Sequence, residues 1–97
     1  MSKSQLAFNR KLYLAGLIAN EPQNLVSLQA CTNMPRRTLQ DALVACKDIG
    51  IEIEFIQQGE RHNAGFYRLE SWGPINPLWV EAHMTELGRS CCVSDKT

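Results

Sequence analysis

No stretch of this sequence approaches the roughly 18 apolar residues that a membrane-spanning helix requires, so a helical membrane protein is not expected. Neither charge is in excess: ten Lys and Arg stand against ten Asp and Glu. A zero total does not favour nucleic acid, because DNA-binding domains usually carry a basic surplus. A Gly-rich phosphate loop, a nucleophile motif and paired-carboxylate spacing are all missing, so neither catalysis nor a cofactor is expected. Histidine is scarce, and His62 and His83 lie far apart without a metal-ligand pattern. None of the four cysteines has zinc spacing. Cys31 and Cys46 fall inside helical patterns, where a thiol acts as a small hydrophobe; Cys91 and Cys92 are adjacent near the end. All four read as structural or incidental thiols, and no metal site is expected. No internal repeat, low-complexity segment or linker divides the chain, so residues 1–90 read as one domain and 91–97 as a flexible tail. The stretch from Met1 to Gln5 has one Lys, and the apolar positions after it are broken by Asn9, Arg10 and Lys11. That is not a signal peptide, and a cytoplasmic location is expected.

What is present is an ordinary globular balance, 44% hydrophobic and 21% charged over 97 residues. The charge is unevenly distributed. Residues 1–40 hold Lys3, Arg10, Lys11, Arg36 and Arg37 against Glu21 alone, a net of +4, and the remainder carries −4. A basic face is therefore possible without a basic total.

Residues 5–19 have helical periodicity. Leu6, Leu14, Leu17 and Ile18 share one face, and Phe8, Leu12, Ala15 and Ala19 share the next. The apolar arc is wider than a single core contact needs. Pro22 stops this helix. Asn24 is suited to cap a short helix from Leu25 to Cys31, with Leu25 and Leu28 inward. Asn33 stands where the following link needs a left-handed residue, and Pro35 suits the first turn of the next helix. Over residues 35–49, Leu39, Ala42, Leu43, Cys46 and Ile49 form one face. At about 100° per residue, Arg36, Gln40 and Lys47 fall together on another, beside Arg37 and Val44. Gly50 ends the helix.

The period then changes from helical to alternating. Ile51, Ile53 and Phe55 interleave with Glu52 and Glu54 as a half-buried strand. A polar loop over 57–65 leads to a second strand, Phe66 to Glu70, with Tyr67 and Leu69 inward; the two make a β-hairpin. Asn76 and Pro77 open a last helix over 77–88, with Trp79, Val80, His83, Met84 and Leu87 on one face and Gly88 at its end. Trp72 and Trp79 read as packing anchors, and His83 as an interface or core histidine with a hydrogen-bond partner.

The predicted fold is thus α+β and mainly helical. Helix, short helix, tight turn, longer helix and hairpin follow in the order of a winged helix-turn-helix, here with an additional C-terminal helix. Leu28, the turn Thr32-Asn33-Met34-Pro35, Arg36-Arg37-Thr38-Leu39, Leu43 and Ile49-Gly50-Ile51 carry the likeness. Over nearly its whole length the chain resembles a small family of uncharacterised bacterial winged helix-turn-helix proteins. The resemblance implies that helix 35–49 reads the major groove of double-stranded DNA. Arg36 and Arg37 would then contact guanine edges or phosphates, Gln40 would read adenine, Thr38 would pack or touch phosphate, and Lys47 would meet phosphate. Arg61, His62 and Asn63, in the hairpin loop, would reach the backbone or the minor groove.

The function expected is DNA binding in transcriptional regulation. The alternative is a winged-helix module for protein–protein interaction, favoured by zero net charge and by Glu52, Glu54 and Glu60 near the hairpin. The surplus apolar surface of helix 5–19 and helix 77–88 predicts a homodimer formed through those two elements.

Overall fold

The computed structural model describes residues 3–58 and 65–91. Helix α1 (Lys3–Asn20) is followed by α2 (Leu25–Thr32) and α3 (Arg36–Ala45). A 3₁₀ turn, Cys46–Ile49, leads into strands β1 (Glu52–Gln57) and β2 (Gly65–Ser71). Helices α4 (Pro77–Ala82) and α5 (Met84–Cys91) complete the order. The predicted tail over 91–97 lies, after Cys91, outside the described residues.

Local chemistry explains the element ends. Asn24 caps α2 by a reciprocal box: Ser27 N–H donates to Asn24 Oδ1 at 2.9 Å, and Asn24 N–H donates to Ser27 Oγ at 2.9 Å. Asn33 closes α2 at φ 60° and donates its N–H to the Gln29 carbonyl at 2.8 Å. The left-handed residue expected in the turn is therefore Asn33, which turns the chain sharply into α3. Pro35 sits one position before α3 rather than inside it, and its carbonyl accepts from Leu39 N–H at 3.1 Å. The third helix is shorter than 35–49. Its α part ends at Ala45, and residues 46–49 tighten to 3₁₀ before Gly50, which adopts φ 88°.

Helix α1 is the central element, and its wide apolar arc is used on both sides. Leu14 and Ile18 pack with Leu28, Met34, Leu39, Ala42 and Leu43 in the helix-turn-helix core. Leu12 and Ala15 pack with Cys46, Ile51, Val80 and Leu87 in a second core beneath the C-terminal helices. Both flanks thus have partners within one chain, while Phe8 of α1 and Leu78 and Trp79 of α4 stay exposed. Burial pushes the Cys46 thiol up to about 11, with the charge of Lys11 opposing the shift. Cys46 is accordingly a protonated core residue, as its place in the helical pattern implied.

The hairpin pairs antiparallel, with Phe55 opposite Tyr67 and Glu54 opposite Arg68. The alternation of a strand then separates its faces. Ile53, Leu69 and Tyr67 turn toward α3 and join the first core. A further pairing was not anticipated: Tyr67 N–H donates to the Gln23 carbonyl at 2.6 Å, in an isolated antiparallel bridge. This bond ties the link between α1 and α2 to the hairpin.

The single predicted helix 77–88 is a correction. Asn76 caps Leu78 N–H and Pro77 occupies the first turn as expected, but the helix breaks at His83, φ −111° and ψ 12°. His83 Nδ1–H donates to the Trp79 carbonyl at 2.7 Å, and its ring stacks on the Trp79 indole at 4.0 Å. A side chain engaging a carbonyl one turn back accompanies the bend. Beyond it α5 runs along α1, and Gly88 lies inside α5 instead of ending it. A Cβ at Gly88 would stand 3.1 Å from the Tyr13 ring, so the glycine permits the close crossing. Trp79 is 47% exposed rather than an anchor, whereas Trp72 packs against the second core.

Candidate nucleic-acid interface

The outward side of α3 is built by helical periodicity alone. With Leu39, Ala42 and Leu43 buried, Arg36, Arg37, Gln40, Asp41 and Val44 are left exposed. Lys47, on the 3₁₀ turn, is exposed as well. Arg37, Gln40, Val44 and Lys47 follow one another at steps of three, four and three residues and so form a continuous ridge. Arg36 lies on the hairpin side of this ridge, near Tyr67. Burial raises the pKa of Tyr67, and the positive charge of Arg36 partly offsets that.

Beside the ridge runs a groove of about 490 Å³ lined by Gln40, Leu43, Val44 and Lys47 from α3 and by Ile53, Phe55 and Tyr67 from the hairpin. Phe55 and Tyr67 meet edge to face, ring centroids 5.1 Å apart at 66°. The wall facing α3 is therefore aromatic, and Glu52 and Glu54 of the hairpin lie elsewhere, while Glu60 falls outside the described residues. Glu52 and Glu54 alternate with Ile53 and Phe55, which places them on the opposite face. Arg68, opposite Glu54 in the ladder, is paired with Glu70, whose hydrogen bond and charge hold the guanidinium protonated more firmly than usual. The repulsion that Glu52 and Glu54 would exert on phosphate is thus directed away from the α3 ridge.

Of the residues singled out in the sequence, Arg36, Arg37, Gln40 and Lys47 come together on this surface. Thr38 does not. It is half-buried on the flank toward α1, in a second groove of about 280 Å³ with Ala7, Arg10, Lys11, Asp41, Ala42 and Ala45. Arg61, His62 and Asn63 lie outside the described residues. Sequence reasoning did not assign Arg10 and Lys11 to the site, although the basic excess of residues 1–40 contained the signal. Both now stand beside α3, and Arg10 Nε is buried without a hydrogen-bond partner. No group of three or more His, Cys, Asp or Glu suited to a metal ion occurs among the described residues. No helix among them is long and apolar enough to cross a membrane.

Comparison with known proteins agrees with this architecture. Among curated proteins there is no match. A crystal structure of a DUF2131 family protein from Shewanella amazonensis SB2B is similar, with 55% sequence identity, 92% of each chain covered and a TM-score of 0.85. The model of a family described as winged helix-turn helix matches residues 3–90. With that match spanning nearly the whole chain, the protein belongs to this winged helix-turn-helix family.

Proposed function

We propose that this protein binds double-stranded DNA, with the ridge of α3 in the major groove and the hairpin against the adjoining backbone, and that it regulates transcription in the cytoplasm. The observation that carries the reading is the composition of one surface. Arg36, Arg37, Gln40 and Lys47 are exposed together on α3, while Glu52 and Glu54 are turned to the other face of the hairpin. Two arginines in a first helical turn oppose the helix dipole, so their placement gains nothing for folding and suits an anionic partner. Arg10 and Lys11 would extend phosphate contact along α1. Arg61, His62 and Asn63 would add contacts from the hairpin loop, and Thr38 a phosphate contact at the edge. The reading includes a homodimer through α1 and the C-terminal helices, where Phe8, Leu78 and Trp79 remain exposed. Sedimentation at tens of micromolar tests that part, and a monomer overturns it.

The test of DNA binding is fluorescence anisotropy with a random-sequence duplex over a salt series. Counterion release predicts affinity that falls steeply as salt rises. A second reading, a module that binds another protein, is favoured by the exposed Leu78 and Trp79 and by the zero net charge. Absence of duplex binding at low salt would put it first, because phosphate attraction needs no particular sequence.

A further inference from the structure

The ridge of α3 carries one side chain that phosphate attraction does not explain. Val44 is 73% exposed at its centre, one turn beyond Gln40 and one turn before Lys47. A β-branched residue at an exposed helix position gives up helix propensity and gains no burial in return. The aromatic wall of the adjoining groove borders Val44 without covering it. Every other member of the ridge, Arg37, Gln40 and Lys47, is a hydrogen-bonding side chain.

We propose that Val44 is a specificity-determining residue that packs on the C5-methyl group of a pyrimidine in the major groove, beside a purine contacted by Gln40. The inference rests on the DNA-binding reading above. Among the groups that the four bases show in the major groove, the thymine methyl is the apolar one. Methylated cytosine shows the same group. A glutamine amide matches the N6 and N7 positions of adenine. Side chains four apart on a helix are separated by about 5–6 Å, and bases in one strand rise by about 3.4 Å. Gln40 and Val44 therefore reach bases one or two steps apart. Arg37 and Lys47, at the two ends of the ridge, would hold the helix in that register through phosphate or guanine contacts.

The experiment is anisotropy at fixed salt with four duplexes of equal length. Two are alternating A·T duplexes made with thymine or with uracil, and two are alternating G·C duplexes made with cytosine or with 5-methylcytosine. Burial of one methyl predicts about fourfold tighter binding of the thymine duplex than of the uracil duplex. In Val44→Ala that ratio falls to about one, and Val44→Thr, which keeps one methyl, retains part of it. A matching preference for 5-methylcytosine over cytosine assigns the contact to any 5-methylpyrimidine; preference confined to the A·T pair assigns it to thymine. A ratio of one in the wild type, or a ratio that survives Val44→Ala, overturns the role of Val44 while salt-dependent duplex binding keeps the DNA reading. Absence of salt-dependent binding to all four duplexes overturns both.

Discussion

The outward ridge of α3 and the seam where α5 crosses α1 are both helical surfaces, yet they are built to opposite ends. At the seam, Leu12 and Leu87 are buried, and glycines let the helices approach closely: a Cβ at Gly16 would stand 2.9 Å from Met84 Cε. Along the ridge, Arg37, Gln40, Val44 and Lys47 are all exposed. The seam holds the fold together, and the ridge contributes little to it. The difference teaches that one helix can support the core without giving all of its surface to it, because α3 uses its inner face for the core and leaves its outer face free to vary.

The largest expected effect lies at the seam. Leu87→Ala should destabilise the protein by about 2–4 kcal/mol in urea denaturation, from lost burial and the cavity left behind. A loss under 1 kcal/mol would mean that the second core is not structural. Cys46 comes next. Its thiol is raised from 9.0 to about 11 in the fold, so it stays protonated there while the unfolded chain already ionises. Stability from this group is complete below about pH 9 and is lost between about pH 9 and 11, by about 2–3 kcal/mol. Unfolding at pH 8 and pH 10.5 measures it, and Cys46→Ala should lose that part of the alkaline decline. Asn24→Ala, which removes one half of the α2 capping box, should cost about 1 kcal/mol. Smallest in stability are Gln40→Ala and Lys47→Ala, within about 0.5 kcal/mol of the parent in urea. A larger loss from either would erase the contrast between ridge and seam.

The sequence made the ridge more legible than the seam. Asn24, Asn33, Gly50 and Asn76-Pro77 act through the backbone next to them, and all appear in the structure where their chemistry suggested. The two faces of α3 follow from a period of 3.6, which needs no knowledge of what the helix touches. The seam depends on long-range partners. Periodicity gave the width of the apolar arc on α1, but not that α5 would cover its second flank. The bend at His83 has no Gly or Pro to mark it, and Gly88 imitates a helix end while serving a crossing with Tyr13. The bridge between Gln23 and Tyr67 is a single residue pair and leaves no alternation to read. The period placed Thr38 on α3, but not that its flank faces α1. The separation of Glu54 from Ile53 and Phe55 was plain in the alternation, whereas its partner across the hairpin, Arg68, became clear only from the strand register.

The central claim, that the α3 ridge binds DNA without supporting the fold, is tested most directly by the Arg36→Ala/Arg37→Ala double variant. Duplex affinity would be measured across a salt series, with the midpoint of thermal unfolding recorded alongside. If both arginines meet phosphates, the slope of log affinity against log salt falls by about 1.8, low-salt binding weakens and the midpoint is unchanged. Wild-type binding whose strength and salt slope survive the double substitution would place the DNA contact elsewhere and contradict the account.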